Sequence, residues 1–193
     1  MGQYYRLSVL NSPKKTSSNV DKVIATICPY DYFNGAKLME FSYIGNAYVG
    51  AFETLINKEN GKYAGLPVVC AGDYADNEPY TWKKKYVNIY ELSEQSKNKL
   101  KTIKPNSYRY IINETKGLFF DTDKVRGDGS KYNYRINPLP LLISEGNGRG
   151  GGDYHGNGME YVGTWARNVV VTSDNRPDEK EYKEFFVDFF EEW

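Results

Sequence analysis

The sequence predicts a single α+β domain with a mostly antiparallel sheet, two or three packing helices and a C-terminal amphipathic acidic helix. Two observations support this prediction. Short β-branched and aromatic runs alternate with helical stretches, but without the regular spacing of βαβ units. No internal repeat or linker divides the 193 residues, a length that suits one domain. The formal net charge of +0 gives no indication of nucleic acid or a membrane surface as a partner.

Strands are predicted from short runs with period-two alternation or continuous apolar character. These runs lie at residues 3–10, 22–28, 67–71, 108–115, 118–121, 132–136, 139–143 and 161–172. The first two are expected to form a hairpin with a long polar loop. Lys116-Gly117 is suited to the tight turn of a second hairpin, between residues 108–115 and 118–121.

Helices are predicted where capping residues precede apolar side chains at helical spacing. The predicted helices lie at residues 34–44, 46–59, 89–101 and 174–193. Asn46 is suited to cap the second helix, and Asn88 with Glu91 fits a capping box for the third. In the last helix Pro177 favours the first turn, and an aromatic face opposes an acidic one. This terminal helix either docks on the sheet as part of the domain or extends from it to meet a partner.

A glycine-dense segment, Gly146–Gly158, is the strongest candidate for a ligand site. Glycine lets a ligand approach the main chain, and successive N–H groups of such a loop form anion-binding nests. Arg149 adds a planar fork suited to phosphate or carboxylate. The pattern G-x-G-x-x-G is present, but the glycines that follow are incompatible with a helix, which argues against a dinucleotide-binding fold. A connecting loop without a ligand is the open alternative.

Acidic residues near this segment and aromatic side chains suited to stacking on a base complete the predicted site. The predicted ligand-binding residues are Gly146, Asn147, Gly148, Arg149, Gly150, Gly151, Asp153, Tyr154, Asp73, Trp165 and Arg167. In an enzyme, the only histidine, His155, would act as a general base with Asp73, Asp76 or Asp153. No nucleophile elbow is present, which favours a binding protein over an enzyme. No metal or cofactor is predicted, because the two cysteines and the histidine lack zinc-binding spacing.

The sequence has no apolar h-region and no apolar run long enough to span a bilayer. It therefore predicts a protein of the host cytoplasm without membrane contact. Its two cysteines are expected to be reduced, buried thiols. The oligomeric state stays open, a homo-oligomer included.

Several motifs together resemble a family of small proteins encoded by phages, prophages and gut bacteria. The motifs are Asn34-Gly-Ala-Lys-Leu-Met-Glu40, Ser42-Tyr-Ile-Gly-Asn46, Ala71-Gly-Asp-Tyr-Ala-Asp76, Asn137-Pro-Leu-Pro-Leu-Leu142, Glu145-Gly-Asn-Gly-Arg-Gly-Gly-Gly-Asp-Tyr154 and Val162-Gly-Thr-Trp-Ala-Arg167. The family brings no known activity to this chain. The resemblance implies a mobile-element setting, in which small proteins often act as counter-defence factors, either as sponges for nucleotide signals or as anti-CRISPR inhibitors.

Three functions are therefore considered. The first is a counter-defence protein that captures a nucleotide, another phosphorylated small molecule or a nucleic-acid backbone through the glycine-rich segment. The second is an anti-CRISPR protein that binds a bacterial defence protein, such as a Cas9-type nuclease, through the acidic helix at residues 178–193. The third is a small hydrolase or transferase that uses His155 with an aspartate.

Overall fold

The computed structural model describes residues 3–11, 23–80, 85–96, 103–146 and 152–190. Two mixed four-stranded sheets, a short hairpin and four short α-helices are found in these ranges, which confirms the α+β class. The strands are β1 (Tyr5–Leu10), β2 (Val23–Thr26), β3 (Val68–Gly72), β4 (Glu78–Tyr80), β5 (Lys85–Val87), β6 (Tyr110–Asn113), β7 (Leu118–Asp121), β8 (Ser144–Glu145), β9 (Val170–Ser173) and β10 (Lys183–Glu184). The helices are α1 (Leu38–Phe41), α2 (Ala47–Leu55), α3 (Ile89–Gln95) and α4 (Pro138–Leu142).

The first sheet has the order β2-β1-β3-β8. β1 pairs antiparallel with both β2 and β3, whereas the short β8 runs parallel to β3. Ser8 lies opposite Thr26, and their hydroxyl groups are hydrogen-bonded at 3.0 Å. The predicted hairpin of the first two strands is therefore confirmed.

The second sheet has the order β10-β7-β6-β9. β6 and β7 form the predicted hairpin, in which Asn113 lies opposite Leu118. The turn needs a glycine, because Gly117 has a φ of +63°. The side chain of Asn113 supports this turn by accepting a hydrogen bond from the backbone N–H of Lys116 at 3.0 Å.

The main core lies between one face of the first sheet and helix α2. Tyr5, Leu7 and Val9 alternate along β1 and point into this core. Helix α2 begins as predicted, because the side-chain oxygen of Asn46 accepts hydrogen bonds from the backbone N–H groups of Tyr48 and Val49. A second cluster fills the other face of the sheet, beneath α3.

Helix α4 corrects the strand predicted at residues 139–143. The side-chain oxygen of Asn137 accepts a hydrogen bond from the backbone N–H of Leu139 at 3.0 Å, and Pro138 occupies the first helical position. Proline suits that position because its fixed φ matches a helix and its missing N–H would have no partner there. These start signals outweigh the continuous apolar run, and only Ser144–Glu145 is extended.

The predicted C-terminal helix is wrong for its described part, which ends at residue 190. β10 pairs with the edge of β7, and the backbone N–H of Phe185 donates to the carbonyl of Phe119 at 2.7 Å. The following C-terminal segment, residues 185–190, is not helical. Val187 and Phe189 are buried, whereas Phe186 is exposed, which is the period-two burial of extended backbone. The described part of the predicted acidic helix, residues 178–190, therefore offers no helical surface with which to bind a defence protein.

Other predicted elements are shorter than expected. The first helix is only α1, the third is described from Ile89 to Gln95, and its predicted end lies outside the described ranges. Residues 132–136 contribute single bridges rather than a strand. Within residues 161–172 the strand begins at Val170, after turns in which Gly163 and Arg167 have positive φ. No helix in the described ranges is long and apolar enough to cross a membrane.

Candidate functional site

The centre of the glycine-rich segment lies outside the described residues. Gly146 follows β8, and the next described residue is Gly152. The predicted ligand contacts that fall between them are Asn147, Gly148, Arg149, Gly150 and Gly151. The anion nest expected around Arg149 therefore stays a prediction.

Two glycines accommodate the ring of Tyr5. A Cβ atom on Gly72 would lie 2.8 Å from Cε1 of Tyr5, and a Cβ on Gly152 would lie 2.7 Å from Cε2. Gly152 also has a φ of +59°, which disfavours a side chain. The end of β3 and the glycine-rich segment thus meet on opposite edges of one buried ring.

Asp73 and Asp153 lie on either side of this junction. Burial raises the pKa of the Tyr5 phenol well above its usual value, and the nearby Cys70, Asp153 and Asp73 act in the same direction. Each carboxylate holds a backbone amide, because Asp73 accepts a hydrogen bond from the N–H of Tyr4 at 3.0 Å and Asp153 accepts one from Met39 at 3.0 Å. These contacts assign both aspartates a role in fixing the chain.

The remaining members of the hydrolase hypothesis, His155 and Asp76, are exposed. The two aspartates considered in place of Asp76 as partners of His155, Asp73 and Asp153, each accept a hydrogen bond from a backbone amide. In the described ranges, no group of three or more histidine, cysteine, aspartate and glutamate side chains is arranged to bind a metal ion.

Tyr154 and Trp165 do not present a free ring face to a ligand. Tyr154 is 0% exposed and Trp165 is 1% exposed. The Tyr154 ring packs edge-on against Phe189 with 5.9 Å between ring centroids, and Trp165 packs against Phe185 at 5.4 Å. Both rings anchor the C-terminal segment to the core, so the predicted stacking role is not compatible with their burial.

Arg167 is engaged by two carboxylates. Its Nε donates to Glu145 at 2.8 Å and its Nη1 donates to Glu78 at 3.1 Å, and Nη2 contacts both carboxylates. This arrangement ties β4 to β8. Among the described residues, two carboxylates already accept hydrogen bonds from the guanidinium of Arg167, which does not favour the anion contact predicted for this residue.

A cavity of about 470 Å³ lies between α1, residues 126–136 and the C-terminal segment. This volume falls in the range of small-molecule sites in proteins. We call the cavity the tyrosine pocket. Its aromatic and basic lining residues are Tyr43, Tyr132, Tyr134, Phe189, Phe190, Arg126 and Arg135.

One backbone contact joins two walls of the tyrosine pocket, and a second shapes one of these walls. The residues after α1 meet the residues before α4, because the N–H of Ile44 donates to the carbonyl of Arg135 at 2.8 Å. Residues 126–135 fold back on themselves through a bridge between Gly127 and Arg135, closed by a turn in which Asn133 has a φ of +47°. The turn presents Tyr132 and Tyr134 on one side.

The tyrosines form an open aromatic wall. Tyr132 is 71% exposed and Tyr134 is 54% exposed. Ring centroids are 5.8 Å apart between Tyr132 and Tyr134 and 5.9 Å apart between Tyr134 and Tyr43. None of the three hydroxyl groups hydrogen-bonds to another residue in the described part of the chain. Accessible ring faces and hydroxyls of this kind suit a flat polar ligand.

The two arginines of the pocket differ in their accessibility. Arg135 donates from Nε to the carbonyl of Val125 at 3.0 Å and from Nη2 to the carbonyl of Thr122, so it supports the backbone. Arg126 is half-exposed, lies 3.7 Å above the Phe190 ring and pairs with Asp188 at 3.0 Å. Arg126 is therefore the pocket cation that a ligand can reach.

One acid, Asp128, also lines the tyrosine pocket. It accepts a hydrogen bond from the backbone N–H of Ser130 at 2.9 Å. This bond is the main cause that lowers the pKa of Asp128. The carboxylate is therefore ionised at neutral pH and available to accept hydrogen bonds from a ligand.

The described part of the glycine-rich segment supports a wall of this pocket. The backbone N–H of Asn157 donates to the carbonyl of Phe190 at 2.9 Å. Gly158 has a φ of +77°, and a Cβ there would lie only 2.3 Å from Cγ1 of Val187. At Gly158 the backbone is thus packed against the C-terminal segment without room for a side chain.

Comparisons with protein-family models, with curated proteins and with solved structures gave no match for the chain. The site is therefore inferred from its own geometry. Sequence reasoning missed the tyrosine pocket, whose signal was the run Lys131-Tyr132-Asn133-Tyr134-Arg135 beside Arg126, an unusual density of aromatic and basic residues in a polar stretch.

Proposed function

We propose that the protein captures a small nucleotide-like ligand, aromatic at one end and anionic at the other, in the tyrosine pocket. The observation that carries the proposal is the placement of exposed tyrosine rings next to one accessible arginine in a single cavity. The proposed ligand site is therefore the tyrosine pocket and not the glycine-rich segment, whose described part supports one wall of the pocket.

The chemistry of the lining residues supports this class of ligand. Stacking of one base on an aromatic side chain contributes about 1–3 kcal/mol. The guanidinium of Arg126 offers a planar pair of donors that matches a phosphate group. The tyrosine hydroxyls and Asp128 add hydrogen-bonding groups for the polar edge of a base.

The resemblance of several motifs to those of small proteins from mobile elements supports a counter-defence role for such capture. A protein that sequesters a nucleotide signal removes it from the receptor that the signal activates, and no catalysis is needed. We therefore propose a nucleotide sponge as the biological role, which makes binding stoichiometric and the ligand recoverable unchanged.

Calorimetric titration of the purified protein with adenosine 5′-monophosphate, the other three ribonucleoside monophosphates and adenosine tests the binding function. We expect at least one nucleotide to bind, and Tyr134→Ala to weaken its binding by about 5- to 100-fold because a stacking face is lost. Tyr86→Ala is the matched control, since Tyr86 is also exposed but lies outside the pocket. Absence of binding across the panel, or equal binding by Tyr134→Ala and the wild type, would contradict the proposal.

A further inference from the structure

We propose that Asp188 stands in for the anionic group of the ligand, so that a phosphate must displace Asp188 from Arg126 in order to bind. The inference rests on the proposed function and identifies the anion subsite of the same pocket. Among the described residues, Arg126 is the only ion-pair partner of Asp188. The separation of Arg126 Nε and Asp188 Oδ2 is 3.0 Å.

The guanidinium of Arg126 is contacted on one face by a ring and at its edge by a carboxylate. One ring, that of Phe190, covers a face of the group, with the guanidinium carbon 3.7 Å from the ring centroid. Asp188 contacts the edge, where the N–H donors lie in the plane. A phosphate is recognised at that same edge, because the donors of arginine form a planar fork. The carboxylate therefore occupies the position in which the pocket would hold an anion.

The extended C-terminal segment allows Asp188 to leave without unfolding. Its neighbours Val187 and Phe189 are 7% and 2% exposed, so they anchor the backbone on both sides. Asp188 itself is 40% exposed, because alternate side chains of an extended chain point in opposite directions. Rotation of one side chain is thus enough to clear Arg126.

The ion pair is weak enough to be displaced. Both side chains are substantially exposed, and exposed pairs of this kind change an equilibrium by about fivefold or less. A phosphate monoester carries more charge at neutral pH than one carboxylate, and charge-assisted contacts to phosphate are among the stronger hydrogen bonds. Asp188 therefore sets a modest threshold that favours doubly charged groups over single carboxylates.

The test compares Asp188→Asn with Glu181→Gln in titrations with adenosine 5′-monophosphate and adenosine. Both variants remove one negative charge, but Glu181 is exposed and does not line the tyrosine pocket, whereas Asp188 is paired with Arg126. We expect Asp188→Asn to bind the monophosphate about fivefold more tightly than the wild type and Glu181→Gln to change it less than twofold. Adenosine, which lacks the anion, should bind equally to Asp188→Asn and the wild type.

The outcomes separate the two proposals. Equal tightening by both variants would show a general charge effect and overturn the stand-in role of Asp188, as would unchanged or weaker binding of the monophosphate by Asp188→Asn. If neither compound binds the wild type or either variant, and the other monophosphates also fail, the proposed function itself is wrong and this inference falls with it.

Discussion

Ionisation of one buried carboxyl group, that of Glu53 in α2, is expected to destabilise the fold. Glu53 is 1% exposed. It accepts hydrogen bonds from the side-chain amide of Asn137 at 2.6 Å and from the backbone N–H of Tyr108 at 3.2 Å. Burial nevertheless raises the pKa of Glu53 to about 7, and Asp174 acts in the same direction. The folded protein therefore keeps a proton on Glu53 in mild acid.

The direction of the pH effect follows from the folded pKa, which lies above the ordinary value of 4.5. The stabilising contribution is fully present below pH 4.5 and is lost as the pH rises through about 7, because the folded state binds more protons than the unfolded state in this window. At about 1.4 kcal/mol per pKa unit, the shift corresponds to about 3 kcal/mol. Most of this, about 2.5 kcal/mol, falls between about pH 5 and about pH 8.

Urea unfolding between pH 5 and pH 8, followed by the fluorescence of the buried Trp165, measures this loss. Glu53→Gln does not ionise, so we expect its free energy of unfolding to fall by about 2.5 kcal/mol less than that of the wild type over this range. Glu53→Gln is also expected to be less stable at pH 5, by about 1–2 kcal/mol, because glutamine has one acceptor oxygen for two donors. Glu181→Gln, at an exposed position, is the control and should follow the wild type. If the free energy of unfolding of Glu53→Gln and of the wild type changed equally with pH, the raised pKa of Glu53 would be refuted as the cause of the destabilisation.

Two smaller changes test the backbone interpretation by the same urea assay. Gly158→Ala is expected to destabilise the fold by about 1–3 kcal/mol more than Gly65→Ala. Gly65 and Gly158 have similar φ angles, +79° and +77°, but only the Cβ at residue 158 would clash, with Val187. Equal losses of stability would therefore contradict the packing described. Asn46→Ala is expected to cost about 1–2 kcal/mol by removing the cap of α2. Asn46→Asp should recover part of this loss, since it keeps an acceptor oxygen but loses the amide bond to Asn34, and no recovery would argue against capping.

Elements with local start signals were predictable from the sequence. Asn46 and Asn88 each accept hydrogen bonds from backbone N–H groups of the helices that they precede. The predicted hairpin turn ends at Gly117, but it has four residues, 114–117, instead of the two predicted. Such signals act within a few residues, so tertiary contacts rarely override them. Asn137-Pro138 carried the same kind of signal before α4, but the apolar run after it equally fits a buried strand.

The C-terminal segment and the tyrosine pocket depend on contacts that a sequence pattern does not contain. Phe189 belongs both to the helical spacing used for the prediction and to the period-two pattern of Phe185, Val187 and Phe189. The edge of β7 decides between them, because it offers backbone partners to an extended chain. Tyr43 and Tyr134 are far apart in the chain and meet only through the bridge beside them, so neither was identified as a candidate.

The glycine-rich segment was recognisable from the sequence, but its role depends on tertiary contacts. It was selected as a ligand site because glycines allow close approach, and in its described part the close approach is made by the protein itself. Gly152 admits the ring of Tyr5, and Gly158 admits Val187. Asp153 holds the N–H of Met39 on one wall of the tyrosine pocket, while the segment's contacts to the C-terminal segment hold the other. Residues 152–158 thus contact both walls, and we expect a change among them that moved either wall to alter the proposed ligand binding without touching the ligand.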